Sequence, residues 1–509
     1  MRIKKVKLLP AKFAVDLSDG SERGGYVNQD YILQKLKRPH RGVNLMYCYY
    51  PLDEGWPKRA RDAYKDTEVD FAWDYPYDDY FPYEGGLSKD GSPRGNKSGE
   101  PFDFMRDIRR HGQDVILTIT CDPKISDEHI IAIARNLRPF GRMMLRINHE
   151  ATGNWFSFNK RATYQEVADF YVRFCKIMKE HAPNVRMILC IGGIEDPNPE
   201  VNEIVYEKEF TEAVRVTDIW SVDKYLALNW GWPYEVAEKD NNQHKRDSVK
   251  EIYDMTKRSY YRFKELNDGI GKPMVMSELN ADGDVTGIYE QVKMVKEFYD
   301  LVKNDPDRWF SGITFYQFRD DGRLGLETTD PGNPDVAIEQ PLMAAYREII
   351  NDDFFKPVFE DAENVADAND VNGANGGGIS LPVTLRWGGA EDADGISMML
   401  ELYGQPVFAE ANFKGSLKDA CLMMEINGRW FYKAPGVTFV DFMPAFCDPD
   451  GTGKSGTVDN KSVELRIFAT PADGENNPSQ GDDWTENYYY TMNELPDLRL
   501  RYEPIMPEK

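Results

Sequence analysis

Between about residue 41 and residue 351 the sequence alternates short apolar runs with amphipathic segments, and this alternation restricts the folds that the chain can adopt. Short runs rich in Val, Ile, Leu and Met are typical of buried strands. The segments between them place apolar side chains at helical spacing, and one of them begins with the capping box Thr163-x-x-Glu166. We predict strands at residues 42–49, 69–73, 114–120, 142–147, 185–191, 218–222, 273–277 and 312–316.

The number of predicted strands favours a closed barrel. Eight strands that alternate with helices are what a (β/α)8 TIM barrel needs. A doubly wound sheet is the alternative, but no glycine-rich phosphate loop follows the first predicted strand. We therefore predict an α/β fold with a catalytic barrel at residues 41–355, preceded by an N-terminal extension at residues 1–40 that packs on the barrel.

The composition changes at an Asn/Asp/Gly-rich segment, residues 364–378. This composition is typical of a linker, which we place at residues 356–378. Beyond it helical spacing is lost, and short strand-like runs are separated by turn residues. We predict a small all-β sandwich, an accessory domain, at residues 379–509.

The charge of the chain limits its partners. Lys and Arg total 62 against 86 Asp and Glu, which gives a formal net charge of −24. Such a surface repels nucleic acid and anionic lipid, and basic patches with interleaved aromatic residues are absent from the sequence. We expect no nucleic-acid partner and no membrane partner.

The cysteine and histidine residues do not form metal-binding motifs. Six residues of each type are dispersed along the sequence, without C-x-x-C, H-x-H or H-E-x-x-H spacing. We therefore expect buried free thiols, no metal and no cofactor, and a metal-dependent barrel hydrolase loses most of its support.

The N-terminal residues are basic, but no apolar segment of the signal-peptide type follows them, and no run of 18 apolar residues occurs. We expect neither a signal peptide nor a transmembrane helix in this sequence. The compartment stays open between the cytoplasm and secretion with the signal removed, and so does the oligomeric state.

Polar side chains follow several of the predicted strands at the point where each strand ends. In a (β/α)8 barrel, catalytic residues gather at the carboxyl ends of the strands. The catalytic candidates are Glu150 at the end of the fourth strand and Glu278 at the end of the seventh. The candidates for substrate binding are Arg146 and His149 at the end of the fourth strand, Asp223 and Tyr225 after the sixth, and Gln317 and Arg319 after the eighth.

Two of these candidates, Glu150 and Glu278, would face each other across the barrel mouth. A retaining glycosidase needs two carboxyl groups about 5–5.5 Å apart, so that one can attack the anomeric carbon directly. One must be a protonated acid and the other an ionised nucleophile, so their surroundings must separate their pKa values. We expect Arg146 and His149 to help set this balance, and Tyr225 to donate a hydrogen bond to Glu278.

Aromatic side chains near these positions are candidates for sugar contact, because rings that face solvent often stack on sugars. Trp155 closely follows Glu150, and we expect it to contact a sugar ring. Trp230 is a second candidate, for which packing in the protein interior is an equal alternative.

Residues 146–156, RINHEATGNWF in one-letter code, resemble the acid/base signature of glycoside hydrolase family 26. That family holds (β/α)8 retaining enzymes, mainly endo-β-mannanases. Residues 218–225 and 272–278 are similar to its strand-six and strand-seven segments. The resemblance implies that Glu150 is the acid/base, that Glu278 is the nucleophile, and that the substrate is a β-mannan-like polysaccharide or oligosaccharide.

Two positions depart from the pattern of that family. Its clan usually ends strand eight in a Trp, where this sequence reads Phe315 to Asp320, and Thr152 replaces an Asn close to Glu150. Two alternatives therefore stay open. One is a clan A glycosidase of another family that acts on xylan, glucan or an algal polysaccharide, and the other is a non-catalytic carbohydrate-binding barrel.

Overall fold

The structure is a computed structural model, and most of the barrel and much of the C-terminal region can be described. The described residues are 3–4, 6–9, 13–20, 26–47, 83–84, 101–121, 123–154, 156, 158–159, 162–226, 247–320, 322–330, 332–356, 358–361, 379–387, 395–402, 404–427, 429–433, 435–447, 462–469, 488–502 and 506–507.

Eight parallel strands close into a barrel, which confirms the predicted (β/α)8 fold. Each strand pairs with its neighbours in chain order, and the last strand pairs with the first through Gly312↔Ala14 to Phe315↔Leu17. The strands are β1 (Ala14–Ser18), β2 (Gly42–Tyr47), β3 (Asp114–Ile119), β4 (Met143–Ile147), β5 (Val185–Cys190), β6 (Ile219–Ser221), β7 (Met274–Leu279) and β8 (Gly312–Phe315).

The barrel begins earlier in the chain than the sequence indicated. The sequence pattern predicts that residues 1–40 lie outside the barrel, but β1 lies among them and completes the strand order. The predicted first strand at residues 42–49 is therefore the second, and the predicted strand at residues 69–73 lies outside the described residues. β1 was missed because Asp16 interrupts its short apolar run.

Helices follow the strands and cover the outside of the barrel. The helices that start at Tyr164 and Val249 each begin with a complete capping box, Thr163 with Glu166 and Ser248 with Glu251. The helices are α1 (Gln29–Leu36), α2 (Phe102–Arg110), α3 (Asp127–Leu137), α4 (Tyr164–His181), α5 (Glu207–Val216), α6 (Val249–Leu266), α7 (Ile288–Asn304) and α8 (Pro341–Asn351).

One apolar core fills the space between these strands and helices. β3 is buried along its whole length, as expected for a strand that is covered on both faces. Short elements extend the barrel after β7 and β8. They are the helix Gly283–Thr286 and the strands Arg319–Asp320, Glu327–Asp330 and Asn333–Glu339.

The C-terminal region forms small sheets around a second core, as the predicted all-β fold requires. The predicted boundaries of the linker and of the C-terminal domain stay a prediction, because most of the proposed linker lies outside the described residues. The strands of this region are Val383–Trp387, Ile396–Glu401, Phe408–Asn412, Leu422–Ile426, Arg429–Lys433, Phe439–Asp441, Ser462–Ala469, Tyr488–Met492 and Asp497–Arg501, and a short helix spans Met443–Cys447.

Three short pairings join distant parts of the chain. Near the chain ends, Ile3–Lys4 pairs with Met506–Pro507, and Val6–Leu9 pairs with Val358–Asp361. After β2, the strand Tyr83–Glu84 pairs with Arg429–Lys433 of the C-terminal region.

Ion pairs on α2 connect the barrel to the C-terminal region. Nη2 of Arg110 lies 3.1 Å from Oε2 of Glu410, and Nε of Arg106 lies 3.6 Å from Oδ2 of Asp441. Sγ of Cys447 donates to the carbonyl of Arg138, which follows α3. These contacts involve the outer helices of the barrel, so the C-terminal region supports the barrel wall.

Among the described helices, none combines the length and the apolar character that a membrane-spanning helix requires.

Candidate active site

The carboxyl ends of β4, β6 and β7 bring several of the predicted polar residues together. Arg146 lies within β4 and Glu150 follows that strand, Asp223 and Tyr225 follow β6, and Glu278 lies within β7. Parallel strands in a closed barrel all end at the same face, so these side chains meet at the barrel mouth.

Both carboxylate oxygens of Glu278 accept hydrogen bonds. Nη2 of Arg146 donates to Oε1 at 2.7 Å, and the hydroxyl of Tyr225 donates to Oε2 at 2.6 Å. Glu278 is only 5% exposed, so water weakens these bonds little. A guanidinium and a phenol thus hold the carboxylate in one orientation, which suits a nucleophile.

Asp223 holds the same group of residues from a second side. Its Oδ2 accepts hydrogen bonds from Nη1 of Arg146 and from Sγ of Cys190, each at 3.0 Å. Its Oδ1 accepts the backbone N–H of Glu278 at 2.9 Å. The Asp223 and Arg146 side chains are both buried, so their described contacts position Glu278. Substrate contact by either residue, predicted from the sequence, stays a prediction.

A chain of hydrogen-bonded side chains crosses β1 to β4 and ends at Arg146. Nδ2 of Asn44 donates to Oγ of Ser18 at 2.8 Å, and Oγ1 of Thr118 donates to Oδ1 of Asn44 at 2.9 Å. Nε of Arg146 then donates to Oγ1 of Thr118 at 3.0 Å. The chain orients the guanidinium so that its two Nη atoms reach Glu278 and Asp223. Sequence reasoning missed Asn44, Thr118 and Cys190, because single polar residues within apolar strands carry no pattern.

Glu150 lies in a tight turn after β4. Both Asn148 and Glu150 have a positive φ, 47° and 49°. Residues other than glycine adopt this backbone conformation at a cost in free energy. The Asn148 side chain compensates for part of this cost, since it accepts from the N–H of Cys121 and donates to its carbonyl, at 2.7 and 3.0 Å. The turn is thus tied to the end of β3, and it places Glu150 at the mouth.

His149 is buried beside this turn. Its ring packs edge-on against Phe156, with ring centroids 4.6 Å apart. Burial, and secondarily the charge of Arg146, lowers the pKa of His149 well below its usual value, so the ring is neutral. Its described contact packs the turn that carries Glu150, and substrate contact by His149 stays a prediction.

The spacing of the carboxylates is the most informative distance in the site. One oxygen from each of Glu150, Asp223 and Glu278 lies within 4.8 Å of the other two. Inverting glycosidases keep their two carboxyl groups about 6.5–9.5 Å apart to admit a water molecule, whereas retaining enzymes keep them about 5–5.5 Å apart. Glu150 and Glu278 therefore have the short spacing of the retaining class.

The same three carboxylates are the described residues whose spacing would suit a metal ion. Arg146 already pairs with two of them and supplies positive charge at this point. Burial, and secondarily the charge of Glu278, raises the pKa of Asp223 to about 7. Because a guanidinium already occupies two of the three carboxylates, and because the raised pKa of Asp223 disfavours its ionised form, this is a poor ligand set for a divalent cation, which favours ionised oxygen ligands.

The two predicted residues after β8 make their described hydrogen bonds to partners outside this group. Gln317 is fully buried and donates to Oδ1 of Asp320 at 2.8 Å, within the same turn. Nε of Arg319 donates to Oε1 of Glu327 at 2.7 Å. These contacts stabilise the segment after β8, and substrate contact by Gln317 or Arg319 stays a prediction.

Tyr316 immediately follows β8, in the segment Phe315 to Asp320 where the sequence has no Trp. It is buried in a small apolar cluster with Met46, against which Tyr225 and Leu324 pack. Its ring lies edge-on to that of Tyr225, with centroids 5.7 Å apart. Trp155, which we predict to contact sugar, and Trp230, for which packing is an equal alternative, both lie outside the described residues.

Comparison with known proteins gives matches in solved structures alone. No protein-family model matches the sequence, and no curated protein matches it. Similar solved structures include a modular endo-β-1,4-mannanase of glycoside hydrolase family 26 from Cellulomonas fimi, at 11% identity and a TM-score of 0.39, covering 90% of this chain and 89% of that one.

Two further structures belong to other glycoside hydrolase families. A family 51 α-L-arabinofuranosidase from Bifidobacterium longum has 10% identity and a TM-score of 0.42, covering 90% of this chain and 95% of that one. A family 39 enzyme from Bacteroides cellulosilyticus has 10% identity and a TM-score of 0.41, covering 91% and 82%. With likenesses this low, the function of this chain must be inferred from its own residues.

Proposed function

We propose that the protein is a retaining glycoside hydrolase that cleaves β-glycosidic bonds by double displacement. Glu278 acts as the nucleophile and Glu150 as the general acid/base. The observation that carries the proposal is the spacing within 4.8 Å of Glu150 and Glu278 at the mouth of a (β/α)8 barrel.

In the first step, an oxygen of Glu278 attacks the anomeric carbon and forms an ester bond to it. The bond from that carbon to the glycosidic oxygen breaks, and Glu150 gives its proton to the departing oxygen. Arg146 and Tyr225 hold the attacking carboxylate in line throughout, since each donates to one of its oxygens.

In the second step, Glu150 takes a proton from a water molecule, whose oxygen attacks the anomeric carbon. The ester bond breaks and Glu278 leaves as a carboxylate, with its hydrogen bonds intact. Two inversions leave the product with the anomeric configuration of the substrate.

For the substrate, we propose a β-mannan-like polysaccharide or oligosaccharide. The resemblance of residues 146–156 to the family 26 signature supports this choice. A clan A activity on xylan, glucan or an algal polysaccharide is the alternative, and Tyr316 at the end of β8 is the feature that keeps it open. A panel of these polysaccharides, with reducing ends measured, distinguishes the two.

Azide rescue tests the roles of the two glutamates. Glu278→Ala should lose turnover and, with azide, give the α-glycosyl azide, since azide then attacks once from the face that Glu278 leaves vacant. Glu150→Ala should keep the first step on substrates with good leaving groups and give the β-glycosyl azide. Glu290→Ala, an exposed change on α7, is the matched control.

A non-catalytic carbohydrate-binding barrel is the second candidate function from the sequence. That protein would bind sugars equally well with or without Glu278, and its wild type would release no product. Unchanged hydrolysis in both glutamate variants would contradict the proposed roles.

A further inference from the structure

A cavity of about 250 Å³ opens beside Glu150, on the side of β4 and β5. Its lining includes Glu150, Thr152, Tyr164, Tyr206, Asp223 and Lys224. Among the described residues, the lining contains Glu150 but not Glu278. The cavity thus opens directly at the proposed acid/base, and the nucleophile is not part of its lining.

Two tyrosines form one wall of this cavity. The rings of Tyr164 and Tyr206 are stacked, with centroids 3.7 Å apart and planes 26° apart. Tyr164 begins α4 and Tyr206 immediately precedes α5, so the stack joins the loops that follow β4 and β5. Tyr206 is 39% exposed, so the stack presents ring surface to solvent.

A hydrogen bond and a close backbone approach also join the two loops. The N–H of Gly192 donates to Oγ1 of Thr152 at 2.8 Å, and Thr152 lies two residues after Glu150. A Cβ at Gly192 would lie 2.9 Å from Cβ of Val205, so only glycine permits this close approach. Tyr206, next to Val205, is thereby held in a fixed position relative to Glu150.

Polar groups complete the cavity. Nζ of Lys224 lies 3.8 Å from Oε1 of Glu195, at the rim. An ammonium and a carboxylate there can bond to sugar hydroxyl groups, while the tyrosine wall can stack against the apolar face of a ring. At about 250 Å³ the cavity is below the roughly 300–1,000 Å³ of sites for drug-sized ligands, so it fits a single ring.

We propose that this cavity is the subsite for the leaving-group sugar, and that the Tyr164–Tyr206 stack is its platform. The inference rests on the proposed function: the general acid protonates the departing oxygen, so the sugar attached to that oxygen must lie on the acid's side. The protein then acts on bonds between two sugars, and it favours sugar over small leaving groups.

The test compares two substrates that differ in the leaving group alone. Cleavage of a β-linked trisaccharide releases a sugar, which occupies the cavity as the leaving group. The matching β-glycosyl fluoride releases fluoride instead and leaves the cavity empty. Mannose, xylose and glucose versions of both are measured for the wild type, Tyr206→Ala, Tyr206→Phe and the exposed control Tyr289→Ala.

For Tyr206→Ala we expect kcat/KM on the trisaccharide to fall about tenfold, with the fluoride value near that of the wild type. Tyr206→Phe, which keeps the ring, and Tyr289→Ala should resemble the wild type on both. Tyr206→Leu replaces Tyr206→Ala if the latter has a lowered Tm.

Two other outcomes are informative in different ways. Equal changes on both substrates in a variant with the wild-type Tm, or no change on either, would overturn the subsite while leaving the hydrolase proposal in place. No turnover of any trisaccharide or fluoride by the wild type would overturn the hydrolase proposal and the subsite with it.

Discussion

The guanidinium of Arg146 donates to Oε1 of Glu278 at 2.7 Å and to Oδ2 of Asp223 at 3.0 Å. All three side chains are buried, so this is an ion-pair network at the base of the active site. A buried ion pair adds little net stability, but the loss of one member leaves uncompensated charge. The network therefore positions Glu278 and makes that position sensitive to each member.

Arg146→Met should lower the free energy of unfolding by about 3–5 kcal/mol, because two buried carboxylates lose their cation. Turnover should fall about 100-fold or more as Glu278 loses a charge-assisted hydrogen bond. Urea unfolding and steady-state kinetics measure these effects. Lys250→Met, which breaks an exposed pair on α6, is the control and should change stability by less than about 1 kcal/mol. Equal effects in both variants would contradict a role for the network.

Tyr225→Phe removes one hydroxyl, the donor to Oε2 of Glu278 at 2.6 Å. A hydrogen bond to a charged group contributes about 1.5–3 kcal/mol, so we expect kcat to fall about 10- to 150-fold with KM nearly unchanged. Steady-state kinetics with Tyr289→Phe as the exposed control checks this. A rise in KM at constant kcat would instead indicate that Tyr225 binds substrate.

Asp16 makes the stability of the barrel depend on pH. Burial raises its pKa from the ordinary value of 3.8 to about 7, and its Oδ1 accepts the N–H of Gly42 at 2.9 Å. The folded state binds the proton of Asp16 more tightly than the unfolded state does. The stability that this proton contributes is therefore fully present below pH 3.8. It is lost as the pH rises through about 7.

Asp16→Asn should therefore be less sensitive to pH than the wild type. Between about pH 4 and pH 7, the free energy of unfolding of Asp16→Asn should fall with pH less steeply than that of the wild type. The two slopes should differ by up to about 1.4 kcal/mol for each pH unit. Urea unfolding at several pH values measures the difference. Asp353→Asn, at a 92% exposed side chain, should follow the wild type. Parallel curves for wild type and Asp16→Asn would refute the assignment.

Metal removal separates the proposed mechanism from a metal-dependent hydrolase. Turnover should be unchanged after treatment with EDTA and gel filtration, because Glu150 and Glu278 supply the acid and the nucleophile themselves. Loss of activity that Ca²⁺, Mn²⁺ or Zn²⁺ restores would show instead that the carboxylate cluster holds a metal ion.

The fold could be predicted from the sequence because buried parallel strands leave a strong pattern. Seven of the barrel strands begin and end within two residues of their predicted positions. β1 was missed since a buried carboxylate lies in its middle, and such burial depends on neighbouring strands.

The pair of glutamates could be predicted because strand ends in a barrel meet at one face. The contacts that hold the two glutamates and the neighbouring loops in place could not be predicted. The bonds from Asn44 and Thr118 toward Arg146 depend on strand register, and the stack of Tyr164 on Tyr206 depends on the path of two loops. Neither relation leaves a periodic signal along the chain.

Trapping of the covalent intermediate tests the central proposal most directly. The protein is incubated with 2-deoxy-2-fluoro-β-mannosyl, -glucosyl and -xylosyl fluorides, whose fluorine at C2 slows release of the intermediate, and is then digested for mass spectrometry. We expect the peptide that contains Glu278 to gain the mass of one fluoroglycosyl group, and the Glu278→Ala variant to gain none. A label on another residue, or an inverted product anomer by NMR, would contradict a retaining mechanism with Glu278 as nucleophile.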